Sequence, residues 1–407
     1  MAQHKDAASL FLSQSFVSQL LFMTVFTVNL LYQIQVVGLN AFQLVLVGTI
    51  LELTVFLFEI PTGLIADYKG RKFSIVLGYF LIGIGFFIEG LFPLFTTVLI
   101  SQIVWGIGYT CISGALQAWI SDEAGLDRVD KIFINSAKYE NAGSFIGIPL
   151  AVIIGYYSLQ ASILTGAIGF LLLAIYLWAF MGETTFLKKK RDHSQSSIHE
   201  LKSMFSGVLA SFGKNAILRY CLIISFIAGV YSEGFDRLWV AHLTTAIKEA
   251  FLTDENMIFI VGGLQFITSI LTIMVFEWFS RMSEKLSFRS LYKSLLISYA
   301  ILILTLLGFA FSTSIYGLIL LFLLIQVNRQ VMSTFENIWF NKLITDSSKR
   351  ATFFSIKGQV DAIGQIGGGP VTGIISLHSS IKAALAASAV LLTPILFIYH
   401  RLLKTRG

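Results

Sequence analysis

Apolar runs of about 20 residues or more recur along nearly the whole of this chain, and that recurrence leaves it few ways to fold. A run of that length crosses the hydrocarbon core of a bilayer as a helix, and inside lipid a single segment satisfies its own backbone only in that form. Twelve such segments are read, at approximately residues 12 to 37, 42 to 66, 73 to 93, 96 to 121, 132 to 157, 160 to 182, 218 to 246, 256 to 280, 288 to 312, 315 to 344, 351 to 376 and 380 to 403. The expected fold class is an all-α integral membrane protein with twelve transmembrane helices. Composition agrees: the 407 residues are 56% hydrophobic and only 13% charged, and 36 are phenylalanine, whereas a soluble domain carries about a quarter charged residues.

Lysine and arginine set the expected orientation, because positive charge is retained in cytoplasmic loops. An even number of spans puts both termini on one side. Lys248 and Lys382 fall on the opposite side, Lys138, Arg237 and Arg329 fall deep inside spans, and every other lysine and arginine is counted on the side of the termini. Both termini are therefore expected in the cytoplasm, in a multi-pass protein of the cell (inner or plasma) membrane. The net charge of +6 then reflects topology, not nucleic-acid binding. No cleavable signal peptide is evident, since the first span is too long and lacks a small-residue cleavage site. Cys111 and Cys221 lie in spans without metal-ligand spacing, so neither a disulfide nor zinc is expected.

Residues 183 to 217 form the one long polar connection and divide the chain into halves, 1 to 182 and 218 to 407. The connection holds Lys188-Lys-Lys-Arg191, then Ile198, Leu201, Met204, Phe205, Val208 and Leu209 on one helical face. The reading is an amphipathic helix on the cytoplasmic membrane surface; a disordered linker is the alternative. Internal repetition supports the division. Glu140-x-x-Gly143-x-x-x-Gly147-x-Pro149 recurs as Asp361-x-x-Gly364-x-x-x-Gly368-x-Pro370, every position displaced by 221 residues. Gln117-Ala-Trp119 answers Asn337-Ile-Trp339 in the same way, displaced by 220.

Between the second and third spans stands Gly63-Leu-Ile-Ala-Asp67-Tyr-Lys-Gly70-Arg71-Lys72. Gly63 suits a close helix approach, Gly70 a tight turn, and Asp67 can accept hydrogen bonds at a helix end. The run resembles the G-x-x-x-D-x-x-G-R-[KR] loop of the major facilitator superfamily, matching at Gly63, Asp67, Gly70, Arg71 and Lys72, which the resemblance makes a gating motif. It implies two six-helix halves, a substrate site near midplane, and alternating access by rocking of the halves. The fifth-span pattern resembles the antiporter motif G-x-x-x-G-P-x-x-G in degraded form, because Ile148 separates Gly147 from Pro149; the eleventh span has Gly367-Gly-Gly-Pro370. Gly143, Gly147, Pro149, Gly364, Gly368 and Pro370 are read as hinge or packing positions. Where the family's fourth span usually offers an arginine four residues before a glycine, this chain has Gln102 before Gly106, which weakens a proton relay on that helix.

Charge inside the spans carries the functional information, because an ionised side chain in lipid needs a partner or a wet cavity. The acids are Glu52, Glu59, Glu89, Glu140, Glu233, Asp236, Glu277, Glu336 and Asp361, against the bases Lys138, Arg237 and Arg329. Unless a bound cation balances this excess of acid, some carboxylates are expected to exchange protons. Depth singles out Glu52, Glu233, Asp236, Arg237, Arg329 and Asp361 as proton-coupling candidates. Glu233 and Arg237 are spaced to pair on one helix face, and Asp236 to pair with Arg329; static pairs that hold helices together are the alternative. Glu59, Glu277 and Glu336 are assigned to helix ends or to a loop network around Asp67. Glu89 lies close to the outer surface and is expected to reach water.

Tyr32, Tyr109, Trp119, Tyr139, Trp239 and Trp339 are candidates to line a substrate cavity, which with surplus carboxylates would suit a lipophilic cation or zwitterion; lipid-facing or interfacial placement is the alternative. No Walker sequence and no H-E-x-x-H pattern occurs, and Gly83-Ile-Gly85 is read as helix packing. The expectation is a transporter, not an enzyme, with no cofactor and the proton gradient as its energy source. Its partners would be a small-molecule substrate, protons and membrane lipids, with no nucleic acid, and it would act as a monomer. Proton-coupled export of small amphipathic compounds, of a bacterial drug-efflux type, is favoured. Proton-coupled uptake or exchange of a nutrient or metabolite, or lipid translocation, is the alternative.

Overall fold

The computed structural model describes residues 6–184, 206, 216–249, 256–280, 287–344 and 347–405. Among them all regular structure is helical: α1 (Ala7–Gln35), α2 (Ala41–Lys69), α3 (Arg71–Leu91), α4 (Phe95–Ile112), α5 (Ala115–Ala124), α6 (Leu126–Tyr157), α7 (Leu159–Phe180), α8 (Ala216–Glu249), α9 (Met257–Ser280), α10 (Phe288–Phe311), α11 (Ile315–Leu343), α12 (Ser347–His378), α13 (Ile381–Leu391) and α14 (Thr393–Thr405). Even α3, at 21 residues, is about 31 Å long at 1.5 Å per residue, enough to cross the core. The twelve expected spans all appear. Two are broken: α4 and α5 together make the fourth, α13 and α14 the twelfth. The basic stretch Lys188 to Arg191 and the apolar positions Ile198, Leu201, Met204, Phe205, Val208 and Leu209 lie outside the described residues.

Both breaks have local causes. Gly114, at φ 73°, stands between α4 and α5, a left-handed conformation that other residues rarely adopt. Pro394 has no backbone N–H and its ring displaces the carbonyl one turn earlier; that carbonyl, Val390 O, accepts from Thr393 Oγ1 at 2.7 Å. Ten stretches among the described residues are apolar and long enough to cross a membrane, counting each broken span once. The remaining two spans, α6 and α12, are the more polar repeat-bearing helices.

The described residues within Met1–Asn40, Ile50–Asp192 and Glu255–Phe266 form one compact unit, and those within Ala41–Thr49, His193–Asp254 and Ile267–Gly407 form a second. The first nine residues of α2 group with the second unit, and the first turns of α9 with the first.

In the first unit α1 packs along α6. A Cβ on Gly143 would stand 2.5 Å from Phe16 O, and one on Gly147 2.6 Å from Leu20 O, so the glycines let the two backbones touch. In the second unit α8 packs along α12 by the same device, with Gly364 and Gly368 against Phe226 O and Val230 O at 2.2 and 2.3 Å. The repeat seen in the sequence is thus one helix-packing solution used twice. Gly83 and Gly85 likewise serve packing, against α7 and against Trp105 of α4.

Candidate functional site

α8 carries the densest charge of the second unit. Arg237 Nε donates to Glu233 Oε1 at 3.0 Å, one turn away on the same helix. Glu233 is buried, and the pair lies against the bare backbone of Gly48 on α2. A Cβ there would come within 1.6 Å of Glu233 Oε1 and 2.1 Å of Arg237 Nε. Asp236 turns to α11, where Arg329 grips it with two bonds, Nη1 to Oδ1 at 2.5 Å and Nη2 to Oδ2 at 2.8 Å. Arg329 also donates to Gln326 Oε1 at 3.3 Å and lies within 6 Å of the Tyr231 and Phe235 rings, in reach of cation–π attraction. This fork-to-fork pair stands at the midpoint of a 29-residue helix and yet is 43% exposed on the aspartate side. Both pairings expected from the sequence are formed.

Asp361 of α12 accepts from Gln365 Nε2 at 2.8 Å and lies one turn from Lys357. Glu336 corrects an expectation: instead of joining a network around Asp67, it accepts from Tyr299 Oη at 2.5 Å and faces Lys357 Nζ at 3.6 Å. Lys357, counted with the basic residues on the side of the termini, is inside α12. Glu52 in the first unit is partly buried on α2.

The turn from α2 to α3 is one residue long, Gly70 at φ 107°. Arg71 N and Lys72 N, free donors at the start of α3, point to Glu183 Oε1 at 2.6 and 3.4 Å. Arg71 Nη1 also donates to Ala118 O at 2.5 Å and pairs with Asp122. Asp67 lies exposed in the last turn of α2. Gly63 departs from expectation, because among the described residues nothing stands within 4 Å of where its Cβ would be; it serves no close approach there. Glu183 and Asp122 were not singled out in the sequence. The only signal for either was acidity near a basic turn, and nothing in one dimension says that residue 183 returns to residue 71.

The aromatic candidates divide. Tyr109 and Tyr139 are 47% and 44% exposed, whereas Tyr32, Trp119 and Trp339 are at most 2% exposed and Trp239 is 6%. Tyr32 Oη donates to Glu89 O at 2.6 Å, Trp119 Nε1 to Gly182 O at 2.8 Å, Trp339 packs between Tyr292 and Tyr399, and Trp239 packs on Phe322 at 4.4 Å. Those four are core, not cavity wall, because each large ring is fully used in packing one unit.

Glu89 is the clearest correction. It is 0% exposed and does not reach water. Asn29 Nδ2 and Gln33 Nε2 donate to its Oε1 at 3.0 and 2.9 Å. Ser101 Oγ and Gln102 Nε2 donate to its Oε2 at 3.0 and 3.4 Å. Gln102, which stands where the family's fourth span usually has arginine, is part of this cluster.

The family model for the Major Facilitator Superfamily matches residues 10–334. The chain belongs to the major facilitator superfamily. This facilitator is 27% identical to the uncharacterized MFS-type transporter YxaM of Bacillus subtilis (strain 168) over 368 residues, 87% of this chain and 86% of that protein. Its fold is similar to that of the nucleoside transporter NupG, with a TM-score of 0.77 at 14% identity over 98% of this chain and 100% of that one. It is similar also to a bacterial homologue of the human lysosomal transporter Spinster, TM-score 0.75 at 14% identity over 98% of each chain. A peptide-transporter-family protein solved with 5-aminolevulinic acid gives 0.72, again at 14% identity, over 98% of this chain and 96% of that one. At such identities these structures establish the fold. As a facilitator, the protein is a multi-pass membrane transporter of a small molecule.

Proposed function

We propose that this facilitator is a proton-coupled antiporter that exports small amphipathic cations or zwitterions, drugs among them, by alternating access of its two halves. The observation that carries the reading is the Asp236–Arg329 pair, a charge-paired fork at the middle of a spanning helix that remains partly open to solvent. Charge at that depth marks a wet pathway. A cationic or zwitterionic substrate competes for Asp236, and a proton on the carboxylate releases Arg329, so occupancy by one ligand disfavours the other. Glu233, Arg237 and Asp361 supply further charge, and Glu52 faces the same task in the first half. The acting form is a monomer in the cell membrane with both termini in the cytoplasm, on the distribution of its basic loops.

The test is substrate-induced proton movement in inverted membrane vesicles, with a panel of cationic, zwitterionic and neutral drugs and with Asp236→Asn and Asp361→Asn as variants. Drug-dependent collapse of an imposed pH gradient, lost in one variant, supports antiport and identifies the coupling acid. No response to any compound from folded, inserted protein rejects drug export in favour of uptake or exchange of a nutrient or metabolite.

A further inference from the structure

Glu89 and its neighbours stand apart from the charge pairs of the second unit, and the proposed export cycle makes no use of them. Two helices converge on this carboxylate, and a third reaches the backbone beside it. α1 brings Asn29, Gln33 and the titratable Tyr32, whose hydroxyl goes to the Glu89 backbone carbonyl. α4 brings the neutral Ser101, Gln102 and Trp105, the indole holding Gln102 Oε1 at 3.0 Å. α7 brings Gln160, which donates to the carbonyl of the next residue, Gly90, at 2.7 Å. Glu89, Gln33 and Ser101 are each 0% exposed, and Gln102 is 3%.

The cluster contains the partners for both protonation states of the acid. As a carboxylate, Glu89 accepts from four side-chain donors. As a carboxylic acid it needs an acceptor, and two are within the cluster. Ser101 is a hydroxyl, so its oxygen accepts when its own hydrogen turns away. Gln33 Oε1 is buried and has no hydrogen-bond partner among the described residues, although the same amide's Nε2 donates both to Glu89 and to Asn29 Oδ1. A buried amide oxygen left without a donor is costly, and a half-turn of the Gln33 amide presents that oxygen to Glu89, with the Asn29 amide turning alongside so that its Nδ2 in place of its Oδ1 faces Gln33. Such a turn reads as one arrangement of two, with the missing donor supplied by a proton on Glu89.

We propose that Glu89 is a reversible proton-binding site enclosed within the first unit, with Gln33 and Ser101 as the groups that reorient when it is protonated. The step takes one proton from solution, turns the carboxylate into a carboxylic acid and removes one negative charge from the contact of α3 with α1 and α4. A role for this site in coupling rests on the reading of the protein as a proton-driven carrier; proton binding itself does not.

The experiment is an infrared pH titration of the full-length protein reconstituted in phosphatidylethanolamine–phosphatidylglycerol vesicles, in potassium buffer and again in sodium buffer. Wild type is compared with Glu89→Gln, and thermal unfolding of both is followed over the same pH range. A protonated-carboxyl band that appears on acidification, reverses on return, is lost in Glu89→Gln and is the same in both salts is expected. Glu89→Gln, a mimic of the protonated acid, should remain folded with a stability that no longer varies through the band's titration. No Glu89-dependent band from wild type that stays folded throughout overturns the proposal. A variant unfolded at every pH would show a permanently ionised structural carboxylate and overturn it too, and a band displaced by sodium at fixed pH would replace the proton with a sodium ion. Because the titration needs no transported substrate, its failure is separate from failure of the export assay.

Discussion

Asp236 and Arg329 illustrate how much one residue can carry in this fold. Removing one partner of a charge pair leaves the other without its counter-charge. In a double-mutant cycle with Asp236→Asn and Arg329→Gln, thermal unfolding in detergent is expected to give a coupling of about 0.5–3 kcal/mol, in the range for residues in direct contact. Substrate-dependent proton movement should be lost in each single variant and should not return in the double one, since a neutral pair restores packing without restoring charge. A purely structural pair would instead recover transport together with stability. Gly48 offers a second residue-scale prediction. Gly48→Ala puts a methyl group where Glu233 and Arg237 now meet, and both are flexible side chain ends. The variant should fold, yet its transport rate should drop severalfold, while Gly263→Ala, at a position with no neighbour within 4 Å, should leave transport unchanged.

At the scale of helices, the repeated glycine pattern brings backbone close against backbone at the α1–α6 and α8–α12 contacts. At these positions a new side chain meets backbone, which cannot swing aside. Gly143→Leu and Gly368→Leu are each expected to lower stability by about 1–3 kcal/mol or more, the usual cost of overpacking, read as a drop in the unfolding midpoint in detergent. The start of α3 is held differently. Two free backbone donors share the Glu183 carboxylate, a charge-assisted cap of the kind favoured at a helix N-terminus. Glu183→Ala should therefore cost about 0.5–2 kcal/mol and increase hydrogen exchange at Arg71 and Lys72 before exchange at the middle of α3 changes.

For the whole molecule, the basic loops predict an orientation that labelling can test. On a Cys111→Ala, Cys221→Ala background, a cysteine from Tyr157→Cys should react with a membrane-impermeant maleimide on intact cells, whereas one from Lys404→Cys should react only after permeabilisation. The reverse pattern would turn the molecule over and with it the direction of export. Both native cysteines are buried, so their replacement by a small apolar residue is expected to leave the fold in place.

The linear sequence alone determined the number of spans, their ends to within a few residues, the glycine repeat and the pairing of Glu233 with Arg237, because each rests on length, charge or spacing along one helix. Tertiary structure decided what depends on the direction a helix faces: that Tyr32, Trp119, Trp239 and Trp339 are core while Tyr109 and Tyr139 are exposed, that Glu89 is enclosed, that no described residue crowds the Cβ position of Gly63 while Gly48 lies against a charge pair, and that Glu183 returns to Arg71. In a soluble protein the polar face of a helix marks its outside. Here lipid and protein interior are both apolar, so a spanning helix is apolar nearly all round, and its rotation is set by packing against neighbours that no one-dimensional pattern identifies.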